Sequence, residues 1–101
     1  MASVLIVDDS PTETYKMEVA LKKNGFEVFK ADNGMDGVAA AKKHLPDLVL
    51  MDVVMPGLNG FQATRQLTQA KETAHIPVII VTTKDQQTDK LWGKRQGAKG
   101  Y

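Results

Sequence analysis

Four short runs of apolar, mostly β-branched or branched aliphatic residues punctuate the chain. Val4-Leu5-Ile6-Val7 is unbroken and stops at Asp8-Asp9, Leu48-Val49-Leu50-Met51 stops at Asp52, and Pro77 opens Val78-Ile79-Ile80-Val81, which ends at Thr82-Thr83. Uniformly apolar runs of this length predict strands covered on both faces. Val28-Phe29-Lys30-Ala31 is more polar and suits a sheet edge. Between the strands the period changes to that of helices. Ser10-Pro11-Thr12-Glu13 has a capping residue, a proline at the first helical position and an acid three residues after the cap; Asn24-Gly25 closes that helix. Met17, Ala20 and Leu21 are expected on its inner face, with Tyr15 and Val19 forming a second apolar strip.

The second helix is expected to show Val38, Ala41 and Leu45 as one stripe and to stop at His44-Leu45-Pro46, since the residue before a proline is driven out of the helical region. A third, after the loop Met55-Pro56-Gly57-Leu58-Asn59-Gly60, turns Ala63, Leu67 and Ala70 inward and Arg65, Gln66, Gln69 and Lys71 to water. Residues 87–96 predict a polar fourth helix with Leu91 and Trp92, closed by Gly97, and a fifth strand is barely begun at Lys99-Gly100-Tyr101. Alternating strands and helices with buried strands imply an α/β fold, a doubly wound parallel sheet. At 101 residues there is room for one domain.

Ligands of such a sheet bind outside the carboxyl ends of its strands. That places Asp8-Asp9, Asp52 and Thr82 in one shallow pocket. Three carboxylates repel one another, and hard oxygen donors select Mg²⁺ rather than zinc to relieve the repulsion. A carboxylate beside such a cation is also a nucleophile toward phosphorus. Asp52 is the candidate, with Thr82 donating its hydroxyl to a phosphoryl oxygen. Asp9 alone would be read equally well as a helix cap, in competition with Ser10; the convergence of three acids is what favours a site. His44 and His75 read as solvated loop residues, Trp92 as packing, and the surface lysines as solvated decoration, though the last helix is basic enough to dock a partner. Gly57-Leu58-Asn59-Gly60 lacks the lysine of a phosphate-binding loop.

Composition narrows the classes further. Thirteen basic against twelve acidic residues leave a charge of +1, which gives no bulk attraction to nucleic acid or to an anionic membrane. The absence of cysteine excludes disulfides, thiolate metal sites and thiol nucleophiles. No run approaches the apolar length of about 18 residues that crosses a bilayer, and no signal peptide precedes the first strand, so a cytoplasmic location is expected.

Leu5-Ile6-Val7-Asp8-Asp9-Ser10, Val49 to Gly60, Pro77 to Thr82 and Gly97-Ala98-Lys99-Gly100-Tyr101, in that order, resemble the signatures of the receiver domain of bacterial response regulators, the CheY-like, flavodoxin-like fold with strand order 2-1-3-4-5. The similarity covers residues 1–101. Gly60 to Leu67 and Trp92 to Ala98 look most like the single-domain regulators of type IV pilus twitching motility. The resemblance implies a phosphorelay protein that receives a phosphoryl group from a histidine kinase on Asp52 and signals to a pilus or motility target. It implies Mg²⁺ held by Asp9, Asp52 and the backbone carbonyl of Val54, with Asp8 acting through water, and Thr82 and Tyr101 as the switch pair.

Val54 and Lys84 would tune how readily water attacks the acyl phosphate, and the aliphatic Val54 implies slow self-dephosphorylation. The family's lysine expected about three residues beyond Tyr101 is not in the sequence, nor are most of the fifth strand and the last helix. A chain incomplete at its C-terminus is therefore expected, with self-association through the uncovered sheet edge. Two other readings use the same residues: a Mg²⁺-dependent phosphohydrolase, disfavoured by the lack of a cap or substrate pocket, and a phosphorylation-independent adaptor.

Overall fold

The computed structural model describes residues 1–53, 57–81, 97 and 99. Its elements follow in the order β1 (Ser3–Val7), α1 (Pro11–Lys23), β2 (Glu27–Ala31), α2 (Gly34–His44), β3 (Leu48–Met51), α3 (Gly60–Gln69) and β4 (Val78–Ile80). All pairings are parallel, in the order β2-β1-β3-β4. This matches the expected order over its first four strands. Lys99 donates its amide to the Val78 carbonyl at 2.8 Å, on the far side of β4 from β3. The expected helix at 87–96 lies outside the described residues.

The register separates the two faces of the sheet. Leu5 stands beside Val49, Val7 beside Met51, and Val49 and Met51 beside Val78 and Ile80. These six side chains are all at most 1% exposed and join Val38, Ala41, Ala63 and Leu67 in one core beneath α2 and α3. Val4 and Ile6 point to the opposite face, under α1, and are equally buried. On that face Leu48, Leu50 and Ile79 are only half-buried, so β3 and β4 are not sealed on both sides as their sequence predicts. No residue of α1 is fully buried. Ala20, expected inward, is exposed, while Tyr15 and Val19 are 67% and 45% exposed, as their separate strip suggests.

Helix ends show how local chemistry sets the frame. The Ser10 hydroxyl accepts the Glu13 amide at 3.3 Å and Pro11 takes the first helical position, whereas the Glu13 carboxylate lies 3.7 Å from Lys16. Asn33 caps α2 by accepting the Asp36 amide. Leu45 is not part of the α2 stripe. It is the C-cap, left-handed at φ 46° and 50% exposed, because Pro46 forbids a further helical residue and the chain must reverse into β3. The inner face of α2 is completed instead by Gly34 and Gly37. A Cβ on Gly37 would stand 2.7 Å from a Val7 methyl, so the helix lies directly on β1. In α3 the inner face is Ala63, Thr64 and Leu67, as expected apart from Thr64, whose hydroxyl is satisfied by the Gly60 carbonyl at 2.7 Å. Ala70, placed inward from sequence, is the half-buried C-cap.

Candidate functional site

β1 and β3 are neighbours and run in the same direction, so both deliver their terminal acids to one end of the sheet. The Asp52 amide donates to the Val7 carbonyl at 2.8 Å, which extends the β1–β3 ladder to the acid itself. Asp8 is held from the other side: its amide donates to Ala31 of β2 at 3.0 Å. One carboxylate oxygen from each of Asp8, Asp9 and Asp52 lies within 4.8 Å of the others. The acids expected from sequence to share one ion are therefore brought together. Thr82, Val54, Lys84 and Tyr101 lie outside the described residues.

The three acids differ in setting. Asp9 is exposed and Asp52 partly buried, while Asp8 is only 9% exposed. Burial raises the Asp8 carboxyl above its ordinary range; the Ser10 amide, donating to its Oδ1 at 2.8 Å, opposes that rise, and the negative charges of Asp9 and Glu13 add to it. A proton is thus one way for the cluster to lower its repulsion. A cation is the other, and the donor set suits a hard divalent ion: oxygen only, no imidazole or thiolate, with Asp9 open to solvent for exchange of ligands. These residues fit the magnesium site that the sequence suggests.

The support beneath Asp52 is backbone packed on backbone. A Cβ built on Gly60 would lie 1.9 Å from the Asp52 carbonyl oxygen, so only glycine lets α3 begin so close behind the acid. Asn59 fixes that start. Its side chain accepts the Gln62 amide at 3.0 Å while the Gln62 side chain accepts the Asn59 amide at 3.1 Å, a complete capping box. The opening of α2 is equally tight, since a Cβ on Gly34 would meet the Leu58 carbonyl oxygen at 2.1 Å. In the sequence, Asn59 and Gly60 read only as loop chemistry. The Asn59–Gln62 spacing of a capping box was visible in the chain; the close approaches at Gly34 and Gly60 had no local signature.

Comparison with known proteins gives a consistent picture. The profile of the response regulator receiver domain matches residues 4–101. Protein PilH of Pseudomonas aeruginosa is 70% identical over 101 residues, covering 100% of this chain and 84% of its own length. Among solved structures, the chemotaxis protein CheY4 of Vibrio cholerae superposes with a TM-score of 0.94 at 33% identity, over 99% of this chain and 83% of that one. The receiver domain of sensor histidine kinase PA1611 from Pseudomonas aeruginosa, solved with a magnesium ion coordinated in its active-site cleft, gives 0.91 at 28% identity, over 99% and 82%.

Proposed function

The chain belongs to the response regulator receiver domain family, and from that premise we propose that it is a phosphorylation-driven signalling switch whose phosphoacceptor is Asp52. The observation that carries the proposal is the meeting of Asp8, Asp9 and Asp52 within 4.8 Å at the carboxyl end of neighbouring strands. An oxygen of the Asp52 carboxylate attacks the phosphorus of a kinase phosphohistidine; the new O–P bond forms as the P–N bond breaks, and the imidazole leaves with its electron pair. Asp9 and Asp52, with the Val54 carbonyl, would hold Mg²⁺, and Asp8 would act through water. When bound, the ion supplies positive charge to the transferring phosphoryl oxygens.

Thr82 and Tyr101 are the proposed readout, the hydroxyl engaging the phosphoryl group and the ring moving inward behind it, so that charge at Asp52 shifts the balance between two packings. The chain itself is not an enzyme toward an external substrate in this reading. Among the described residues no helix is long and apolar enough to cross a membrane, and we assign a cytoplasmic partner set: a histidine kinase upstream and a pilus or motility protein downstream. The resemblance of residues 60–67 and 92–98 to twitching-motility regulators and the 70% identity to Protein PilH support the pilus assignment.

Treatment with acetyl phosphate and Mg²⁺, followed by intact mass and peptide mapping, tests the proposal. The expected result is one added phosphoryl group on Asp52, absent without the ion and absent in Asp52→Asn. Continuous release of inorganic phosphate without an accumulating adduct would favour a phosphohydrolase. Absence of any reaction, with the kinase as donor as well, would leave an adaptor that works without phosphate.

A further inference from the structure

β2 is an open edge of the sheet among the described residues. Glu27 donates its amide to Ala2 at 2.9 Å and the Ala31 carbonyl accepts from Asp8 at 3.0 Å, so Glu27, Phe29 and Ala31 turn their backbone groups toward β1. Alternation then points the amides and carbonyls of Val28 and Lys30 away from the sheet. A lysine on an edge usually repels another strand. Here Lys30 is drawn onto α1, its Nζ 3.2 Å from Glu18, and its charge is offset there. A groove of about 810 Å³ runs along this edge between α1 and α2. Its charge is polarised along α2: Asp32 and Asp36 stand where the helix begins, with Asp8 and Asp9 at the same end, Lys43 and His44 lie in its last turn, and the paired Glu18 and Lys30 lie on its wall.

We propose that this edge is a self-association surface, on which a second copy of the chain docks its own β2 antiparallel, about a two-fold axis at Phe29, with the acidic end of each groove against the basic end of the other. The axis follows from the backbone. Val28 and Lys30 are symmetric about Phe29, so an antiparallel copy pairs Val28 with Lys30 of the second copy and Lys30 with Val28 of the second copy, leaving none of these four residues' edge groups unpaired. Phe29 then faces its own counterpart as a cross-strand aromatic pair. Each ring is already braced by His44, stacked at 4.0 Å between centroids and 10° between planes. The polarity of the groove selects a twofold partner over a strand of arbitrary sequence: rotation brings Asp32 and Asp36 of one copy to Lys43 and His44 of the other. The acidic end of the groove also takes in Asp8 and Asp9 of the proposed metal site, whereas the paired strand edge is that of β2.

Sedimentation velocity of the full chain over a wide concentration range, at low and high salt, tests it. The expected result is a reversible dimer that weakens as salt screens the groove charges. Val28→Pro removes only an outward amide, which an edge strand tolerates, and is expected to raise the dimer dissociation constant about tenfold or more. Asp32→Lys and Lys43→Glu, both at exposed positions, should each weaken the dimer, and an equimolar mixture of the two should restore it as a heterodimer. A monomer at every concentration overturns the proposal, as does a dimer indifferent to Val28→Pro and to both charge reversals. Protection of the Val28 and Lys30 amides only on adding another protein would assign the edge to a different occupant and overturn it equally.

Discussion

Replacing Gly60 by alanine would press a methyl group onto the residue proposed to accept phosphate. The new Cβ would lie 1.9 Å from the Asp52 carbonyl oxygen and 2.7 Å from both the Asp52 carbonyl carbon and the Val53 Cα. Ordinary contact begins at 3.4 Å, so the two backbones must part by about 1.5 Å, more than the misplacement of about 1 Å that costs a positioned reaction roughly a hundredfold. Neither side yields easily. Asp52 is tied to β1 through its amide on Val7 at 2.8 Å, and the start of α3 is tied by the Asn59–Gln62 box.

Overpacking of this kind costs about 3 kcal/mol, which for a domain of this size lowers the melting temperature by about 12 °C or more. Gly25→Ala is the control: Gly25 needs a positive φ, at 87°, which Gly60 does not, but a Cβ there meets nothing within 4 Å. It should lose about 1 kcal/mol from backbone strain and keep its reactivity. The assay is the initial rate of modification by acetyl phosphate and Mg²⁺, measured by intact mass at a temperature where both variants are folded by circular dichroism. We expect Gly60→Ala to react about a hundredfold more slowly than Gly25→Ala. Equal rates in the two folded variants would refute the claim that Gly60 sets the position of Asp52.

Three further outcomes follow from other parts of the molecule. Asn59→Ala removes the acceptor half of the α3 box and should lower the unfolding free energy by about 1.5 kcal/mol in urea titration, with no comparable loss expected at an uncapped surface position. Asp8→Asn should stabilise the metal-free protein at neutral pH, because the Asp8 carboxyl is raised by burial and its ionised form opposes folding. A raised group contributes stability below its unfolded value, ordinarily 3.8, and loses it as pH rises through the folded value, so the advantage of asparagine must fade on acidification; urea midpoints with chelator across that range check the sign. Leu45→Gly should gain about 1 kcal/mol by relieving the left-handed cap, since the 50% exposed side chain surrenders little burial; an unchanged thermal midpoint would contradict this.

The sheet was legible because burial and strand pattern coincide: Val4 to Val7 is apolar throughout and buried throughout, and the polar Glu27 and Lys30 do mark an edge. The acids were legible for the same reason, since parallel neighbours must present their ends together. Legibility failed where the answer lay across a contact. Gly34, Gly37 and Gly60 look like turn or flexibility signals in one dimension, yet each is small because another backbone or a valine side chain occupies the space of its Cβ. Leu45 fitted the helical period but sits where Pro46 dictates the backbone. Half-burial of Leu48, Leu50 and Ile79 likewise depends on what covers the face under α1, which the apolar run itself cannot encode.

That asymmetry between the two faces has a dynamic consequence. A helix with no fully buried residue, held to the sheet by a few half-buried side chains and the Glu18–Lys30 ion pair, forms the least costly opening unit of the described fold. Its amides should exchange with solvent through an excursion well short of global unfolding, while those of β1 and β3 wait for the whole sheet to dissolve. Asp8 and Asp9 sit at the hinge between those two regimes, one rung beyond the slowest-exchanging strand and one cap before the fastest-exchanging helix.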